Sequence, residues 1–359
     1  MTKATAHADH HIQRLMELIN GFRTSQAIYV AVTLGIPDLL RDGVVACDRL
    51  AFVTGTHPGS LYRLLRALAA VGIMQETEDR GFALTPLGGA LVSDAAFSRN
   101  AWAKFVVRPP LWAAWGNLLH SVRTGETGFR LAHGQDVWSF RADHPEESVL
   151  FDRAMREHAS GIAGEMLSAY DFTRFGHIVD VGGGNGALIA GLLAACQQAT
   201  GTLLDLPHVV AGAGDVLEQA GVRDRCKVIA GSFFDSVATG GDIYVLKSIL
   251  HDWHDREAQH ILRNCRRAMS VGATLLLVER TVAPPNQGAE VKLTDLNMLV
   301  NAGGRERTSE EFTALLAGAG FELRATTHLS NSRFIIEATP NGVNPRGMSF
   351  AGQHEKRIC

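Results

Sequence analysis

The stretch VDVGGGNG, residues 179–186, decides how the second half of the chain folds. An apolar run precedes it and a longer apolar run follows it, so the stretch predicts the turn between a buried strand and a helix. Glycines at such a turn let the backbone bend sharply and approach a ligand without a Cβ in the way. The stretch therefore predicts an α/β sheet with a ligand at its edge.

Strand-like and helix-like segments alternate after Asp171. The predicted strands are HIVDVG (177–182), GTLLDL (201–206), CKVIAG (226–231), GDIYVLKS (241–248), ATLLLVER (273–280), ELRATTHL (322–329) and SRFIIEATP (332–340). The predicted helices are ALIAGLLAAC (187–196), HVVAGAGDVLEQAG (208–221), REAQHILRNCRRAM (256–269) and SEEFTALLAGAG (309–320). This alternation predicts a mainly parallel, doubly wound sheet. Too few residues separate the last two strands for a parallel crossover, so these two are expected to form an antiparallel hairpin.

The glycine spacing favours one nucleoside ligand over another. A dinucleotide fingerprint reads G-x-G-x-x-G, whereas this chain has Gly182-x-Gly184-x-Gly186, with Asp180 inside the preceding strand. A carboxylate is unfavourable beside a pyrophosphate but suits the amino group of S-adenosylmethionine. Asp205 ends the next strand, before Leu206, where an acid can hold both hydroxyls of a ribose; the alternative is an Asp that only caps a helix.

Two further loops carry candidate site residues at the same edge. Ser232 and Phe233 follow the third strand, where a hydroxyl beside an aromatic ring suits an adenine, although the pair could also be a cap and a core residue. His251 lies after the fourth strand and can remove a proton from a hydroxyl. Glu279 and Glu306 are placed to reach the same crevice and to orient the imidazole, as in a catalytic triad. Alternatively, His251 is structural, or Glu306 pairs with Arg305 or Arg307.

The first half of the chain predicts helices followed by a two-stranded wing. The segments are LMELINGFRTSQAIYVAVTLGI (15–36, ending at Pro37), CDRLAFVTG (47–55), LYRLLRALAAVGI (61–73) and the wing MQETEDRGFALT (74–85). Together they predict a winged helix, but its second helix offers only Arg63 and Arg66 to a phosphate backbone. We therefore expect packing or dimerisation rather than DNA binding. Residues 100–170 are predicted to be helical and rich in aromatic side chains, which suits a core or a pocket lid.

Composition excludes several other classes of protein. The chain has 359 residues, 46% of them hydrophobic, and a formal net charge of −3, which argues against disorder and gives no electrostatic footprint for nucleic acid. No apolar run of about 18 residues and no secretory signal are found, so a cytoplasmic protein is expected. The five cysteines are scattered and are expected to be reduced thiols. No Asp/Asn cluster suggests a catalytic magnesium, and no metal is expected.

Taken together, the motifs VDVGGGNG, LLDLPHV, GSFF, KSILHDW, VERT and GGRERTSEEF resemble those of the S-adenosylmethionine-dependent O-methyltransferases of the plant caffeate and bacterial natural-product type. The resemblance covers nearly the whole chain. It implies a class I methyltransferase sheet, parallel with one reversed strand, and an N-terminal dimerisation domain. It also implies a homodimer, an aromatic small-molecule acceptor, transfer without a metal, and S-adenosylhomocysteine as product. His251 would be the general base, flanked by Glu279 and Glu306.

The resemblance also assigns positions residue by residue. The residues that would contact the cofactor are Gly182, Asp205, Ser232, Phe233 and Lys247. Ser232 stands where many relatives have Asp, and because its hydroxyl can still donate and accept a hydrogen bond, the adenine contact is expected to survive. Substrate-pocket walls would be Phe151, Met155, Trp253 and Met298. The expected domains are 1–100 (dimerisation), 101–170 (helical linker and lid), 171–340 (catalytic) and 341–359 (a loose tail). N-methylation of a heteroaromatic compound, a family member with changed chemistry (hydroxylase or decarboxylase), and a metabolite-sensing winged-helix regulator are the alternatives.

Overall fold

The computed structural model describes residues 3–158, 161–330 and 332–342. These residues divide into two compact units. One unit is formed by Met1–Leu119 with Gly128–Ser160, and the other by His120–Thr127 with Gly161–Cys359. The predicted lid region, 101–170, is thus shared between the units. The predicted tail lies outside the described residues except for positions 341 and 342.

The first unit is mostly helical. Its helices and strands are α1 (Lys3–Thr33), α2 (Ile36–Leu39), β1 (Val45–Ala46), α3 (Cys47–Thr54), α4 (Pro58–Ala70), β2 (Met74–Glu76), β3 (Gly81–Leu84), α5 (Pro86–Gly89), α6 (Asn100–Phe105), α7 (Pro109–Gly116), α8 (Leu118–Thr124, which continues into the second unit), α9 (Gly128–His133), α10 (Val137–Asp143) and α11 (Pro145–His158). The first helix is longer than predicted at its amino end and stops before Pro37, which lies in the first turn of α2 where its missing N–H costs nothing.

The predicted wing is present as the antiparallel pair β2 and β3, and β1 adds a third strand to it. Helix α4 begins after His57, whose side chain accepts a hydrogen bond from the backbone N–H of Ser60. Its buried face, Leu61, Leu65 and Leu68, joins one apolar core with Phe82 of the wing. The α4 arginines lie off this buried face, so the order of helix, turn, helix and hairpin is held by leucine packing.

The second unit is an α/β sheet with helices on both faces. Its helices and strands are α12 (Ile162–Ala169), β4 (His177–Val181), α13 (Ala187–Ala195), β5 (Thr200–Asp205), α14 (Pro207–Val210), α15 (Ala213–Gln219), β6 (Cys226–Ala230), β7 (Ile243–Lys247), α16 (Asp255–Ala268), β8 (Thr274–Arg280), α17 (Ala289–Val300), α18 (Ser309–Gly318), β9 (Phe321–His328) and β10 (Arg333–Pro340). All seven predicted strands are present. Helix α17 was not among the predicted helices, and the predicted helix 208–221 is interrupted near Gly212 to give α14 and α15.

The seven-stranded sheet has the order β6-β5-β4-β7-β8-β10-β9. Strands β4 to β8 pair in parallel, and β10 runs antiparallel to both of its neighbours. The predicted hairpin is therefore confirmed, and it places the reversed strand second from the edge. This topology brings the ends of β4, β5, β6, β7 and β8 to one edge of the sheet.

Candidate active site

The glycine loop after β4 has the conformation that its sequence predicts. Gly182, Gly184 and Gly186 all have positive φ, at 70°, 63° and 83°. A Cβ on Gly182 would come within 2.5 Å of Ile249 and 3.2 Å of Phe233, whereas Gly184 faces open space. Gly182 therefore brings two other loops of the edge against the glycine loop, and Gly184 leaves room above it for a ligand.

Asp205 joins the glycine loop to the end of β5. One carboxylate oxygen accepts a hydrogen bond from the backbone N–H of Gly184 at 2.8 Å, and the other accepts from Leu206 at 2.7 Å. Burial raises the pKa of this carboxyl above its ordinary value, and the two backbone donors oppose that rise. Each oxygen keeps a lone pair for another donor. The geometry fits a carboxylate that holds ribose hydroxyls as well as the loop.

Asp180 lies beneath the glycine loop and is almost completely buried. A Cβ on Gly183 would fall 2.4 Å from Oδ2 of Asp180, and neither carboxylate oxygen has a hydrogen-bond partner among the described residues. Burial raises the pKa of Asp180 to about 7, with the charge of Lys247 opposing the rise. Burial likewise lowers the pKa of Lys247, against the attraction of Asp180 and Glu279. A buried acid and a partly buried amine thus lie near the carboxyl ends of the two adjacent strands β4 and β7, where the charged groups of an amino acid would satisfy them.

The loop of Ser232 and Phe233, which is predicted to bind adenine, is fixed by a residue that was not predicted. Asn264 of α16 is buried, and its side-chain amide donates to the carbonyl oxygens of Phe233 and Phe234, both at 2.7 Å. Ser232 caps the same turn by accepting from the N–H of Phe234 at 3.1 Å. A polar residue on the core-facing stripe of α16, beside Ile261 and Cys265, was the sequence signal that was available.

His251 lies in a 3₁₀ turn, Leu250–Asp252, after β7. The turn is reached through Ser248, a non-glycine residue with φ of 54°. Leu250 is completely buried in the core of the unit, whereas the side chain of His251 is 14% exposed. The buried side chain of Leu250 therefore anchors the turn in the core, while the imidazole of His251 stays partly accessible.

The predicted carboxylates both lie at this turn, but they contact it differently. Oε1 of Glu306 lies 2.9 Å from Nδ1 of His251, and the side chain of Glu306 is completely buried. Oε1 of Glu279 instead accepts hydrogen bonds from the backbone N–H groups of Ile249 at 2.9 Å and Leu250 at 2.8 Å. Glu306 thus orients the ring, and Glu279 holds the backbone before it. Arg305 forms ion pairs with Asp255 and Glu311, and Arg307 forms one with Asp255, so these arginines contact other acids.

The charges around His251 favour its protonated form. Burial acts against the imidazolium, but the negative charges of Asp252, Glu306 and Glu279 outweigh it and raise the pKa of His251 to about 10. Asp252 is the nearest carboxylate to Nε2, at 3.7 Å. Burial, in turn, raises the pKa of Glu279. The site is therefore a strong base whose conjugate acid is stabilised by acids around it.

The predicted substrate walls lie in both units. In the first unit, Phe151 of α11 packs among aromatic rings and carries the guanidinium of Arg141 3.6 Å above its centroid, and Met155 follows one turn later. In the second unit, Trp253 makes an edge contact with Phe234 at 4.7 Å, and Met298 of α17 is buried. Their role in acceptor binding remains a prediction.

Two more groups lie near His251: Asp295, which was not predicted, and Arg307, which was considered only as a partner of Glu306. Asp295 of α17 accepts a hydrogen bond from the backbone N–H of Glu306 at 2.8 Å, and burial raises the pKa of Asp295. Arg307 is one of the most deeply buried large side chains.

Among the described residues, no group of three or more His, Cys, Asp or Glu side chains is placed to hold a metal ion. Four of the five cysteines, Cys47, Cys196, Cys226 and Cys265, are free and also buried, and Cys359 lies outside the described residues.

Comparison with known proteins agrees with this fold and shows the family. Residues 115–322 match the O-methyltransferase domain family, and residues 16–94 match the O-methyltransferase dimerisation domain. The chain is 39% identical to phenazine O-methyltransferase PhzM of Lysobacter antibioticus over 91% of this chain and 95% of that protein. It is 38% identical to 8-amino-8-demethylriboflavin N,N-dimethyltransferase of Streptomyces davaonensis, over 87% of this chain and 90% of that protein.

A solved structure with both ligands bound is also similar. The O-methyltransferase NcsB1 from neocarzinostatin biosynthesis, in complex with S-adenosylmethionine and 2-hydroxy-5-methyl naphthoic acid, is 34% identical, with a TM-score of 0.75 over 88% of this chain and 96% of that one. The chain belongs to the O-methyltransferase family. The predicted class I methyltransferase fold and the predicted family are thereby confirmed.

Proposed function

We propose that this chain transfers the methyl group of S-adenosylmethionine to a hydroxyl of an aromatic small molecule, a secondary metabolite, with His251 as the general base. The hydrogen bond between His251 and Glu306, at the same sheet edge as the glycine loop, is the observation that carries the proposal. One similar protein is named as a phenazine O-methyltransferase and another is bound to a naphthoic acid, which supports an aromatic acceptor.

The residues present fit the cofactor. The glycine loop from Gly182 to Gly186 would hold the methionine part above Asp180 and Lys247, and Asp205 would hold the ribose. Phe233 would cover the adenine, with the hydroxyl of Ser232 as its hydrogen-bonding neighbour. When bound, S-adenosylmethionine supplies an electrophilic methyl group on a positively charged sulfur. The chain's own contribution is to align the acceptor oxygen with that methyl and to exclude water.

Proton removal is the chemical task of His251. Glu306 fixes Nδ1 as the protonated nitrogen, so Nε2 is the nitrogen that takes the proton from the acceptor hydroxyl. A phenol has a pKa near 10, similar to that of His251, so a proton shared between them costs little free energy. An ionised hydroxyl beside the imidazolium and a neutral hydroxyl beside the imidazole hold the same number of protons. Both descriptions predict that kcat/KM rises with pH up to the alkaline range.

The amino-terminal unit supports a homodimer. Helix α1 exposes Ile12, Leu15, Met16, Ile19 and Phe22, which recur at helical spacing along one side, and residues 16–94 match the dimerisation domain. Two copies of this apolar stripe would remove it from water. Analytical ultracentrifugation should give a dimer, and Ile19→Glu should shift it toward monomer; an unchanged sedimentation coefficient would assign the stripe to another role.

DNA binding finds little support in the charge of the first unit. Helix α4 carries only Arg63 and Arg66 as cations, and no described helix is long and apolar enough to cross a membrane. A gel-shift assay at physiological salt is expected to show no binding, which would disfavour the regulator hypothesis. A cytoplasmic location stays a prediction from the sequence.

The decisive experiment combines His251→Gln with a panel of acceptors. Phenazines, naphthoates, quinones and flavonoids are incubated with methyl-labelled cofactor, and the products are identified by mass spectrometry. We expect a methylated hydroxyl, turnover reduced about a hundredfold or more in His251→Gln, and cofactor affinity near wild type by calorimetry. Turnover that is unaffected across the pH range would remove His251 from the mechanism. Methylation of a ring or exocyclic nitrogen instead would favour the similarity to the N,N-dimethyltransferase.

A further inference from the structure

The turn that carries His251 is covered by one distant segment, Gly303–Arg307. The backbone N–H of Arg305 donates to the carbonyl oxygen of His251 at 2.8 Å. A Cβ on Gly304 would fall 2.0 Å from that same oxygen, so the two backbones are in direct contact. Glu306 adds its bond to the imidazole from this segment. The base and the segment that orients it therefore form one packed unit.

Arg307 completes the contact from the other side of the turn. Its guanidinium donates to the carbonyl oxygens of Leu250 at 2.7 Å and Trp253 at 2.8 Å, the residues on either side of the His251–Asp252 pair. It also donates to Oδ1 of Asp255, from Nε at 2.9 Å and from a terminal nitrogen at 2.8 Å. Arg307 is 1% exposed, whereas its counter-ion Asp255 is 58% exposed.

The fork shape of the guanidinium decides what this contact can do. A planar group with several fixed donors can hold two carbonyls and one carboxylate at set positions, which a lysine ammonium cannot do with the same geometry. A buried charge is costly unless such bonds satisfy it. The most direct use of this buried cation is to fix the spacing between Leu250 and Trp253, and with it the direction of the imidazole between them.

We propose that Arg307 is a positioning residue for His251, which aligns Nε2 with the acceptor hydroxyl by clamping the carbonyls on both sides of the turn. The proposal rests on the proposed function, in which His251 is the general base. It predicts a loss in the chemical step with little change in cofactor binding, because a misplacement of about 1 Å can cost on the order of a hundredfold in rate.

The test compares Arg307→Lys with His251→Gln and with the double variant. Arg307→Lys should lower kcat by about tenfold to a hundredfold, leave KM for the cofactor and its calorimetric Kd within about twofold, and add no further loss in the double variant. Arg324→Lys is the matched control: it makes the same substitution in the same unit, at an exposed residue paired with Glu322, and should keep wild-type kcat. Circular dichroism verifies folding of each variant.

The outcomes separate this inference from the proposed function. Losses that multiply in the double variant, a change in KM alone, or a wild-type kcat in Arg307→Lys would each overturn the positioning role. If His251→Gln itself keeps full turnover, the proposed base fails instead. Should Arg307→Lys not fold, Asp255→Asn keeps the guanidinium and loosens its anchor; a smaller kcat loss, again absent in the His251→Gln background, is then expected, and wild-type kcat would overturn the role.

Discussion

Glu306 and His251 are 55 residues apart in the sequence, and a 2.9 Å hydrogen bond joins Oε1 of the carboxylate to Nδ1 of the imidazole. Glu279, the other acid at this turn, bonds to backbone N–H groups instead. One glutamate therefore orients the imidazole and the other holds the backbone before it, so substitutions of the two should reduce kcat to different extents.

Glu306→Gln keeps an acceptor for Nδ1 but removes the charge that stabilises the imidazolium. We expect kcat to fall by about tenfold or more, with the pKa of His251 lowered toward its ordinary value. Glu279→Gln should cost less, because one amide oxygen can still accept from both Ile249 and Leu250. Steady-state kinetics from pH 6 to 10 measures both. Equal losses would mean that the direct bond to the ring has no special role.

The raised pKa of His251 predicts how stability changes with pH. Between the unfolded value, about 6.5, and the folded value, about 10, the folded protein binds more protons than the unfolded one. The stabilisation from His251 is therefore fully present below pH 6.5 and is lost as pH rises toward 10. Urea unfolding of wild type and His251→Gln across this range should show their difference shrinking. A difference that stays constant with pH would contradict the charged pair.

Asp205 should contribute to cofactor affinity through its charge. Asp205→Ala leaves the ribose hydroxyls and the N–H groups of Gly184 and Leu206 without their acceptor, so the cofactor should bind about 1 to 3 kcal/mol more weakly. Asp205→Asn keeps one acceptor oxygen, so its affinity for the cofactor should lie between those of wild type and Asp205→Ala. Isothermal titration calorimetry measures all three proteins, and an unchanged affinity in Asp205→Ala would make the residue purely structural.

Asn264 should affect the cofactor from beneath its loop. Asn264→Leu removes both donors from the carbonyls of Phe233 and Phe234, so the ring of Phe233 loses its fixed position. We expect cofactor Kd to rise by about tenfold, since each lost bond leaves a buried acceptor unsatisfied. Arg263→Ala, at an exposed position of the same helix, is the matched control. Calorimetry that finds the same cofactor Kd for Asn264→Leu and Arg263→Ala would contradict this role of Asn264.

The sequence predicted the sheet better than the helices around it. Strands of a parallel sheet are buried on both faces, so they are short and almost continuously apolar, as β4 and β7 are. Such runs can be identified as strands without knowing which residues they contact. Helix α17 mixes buried Val291 and Met298 with exposed residues and shows no clear apolar face. The segment 208–221 is helical at both ends but is interrupted near Gly212.

The candidate site was likewise predictable from the sequence only in part. Strand ends of a parallel sheet meet at one edge, so topology alone was enough to bring Asp205, His251 and Glu279 together before any distance was known. The sequence could not tell which of Arg305 and Arg307 turns inward, because residues two apart lie on the same face of an extended segment, and these two are separated only by the irregular backbone around them. Arg305 pairs with Glu311 at the surface, whereas Arg307 enters the core. Asn264 did leave a signal, as a polar residue on the core-facing stripe of α16, but its partners Phe233 and Phe234 were set by the fold.

The 3₁₀ turn of His251, with Glu279, Glu306 and Arg307 around it, is built from residues of a single compact unit. Phe151 and Met155, the predicted pocket walls in the other unit, form no part of those bonds. A protein engineer could therefore randomise these two positions to widen the range of acceptors while the proton-handling apparatus stays intact. The acceptor specificity of the enzyme could then be changed without changing the residues that remove the proton.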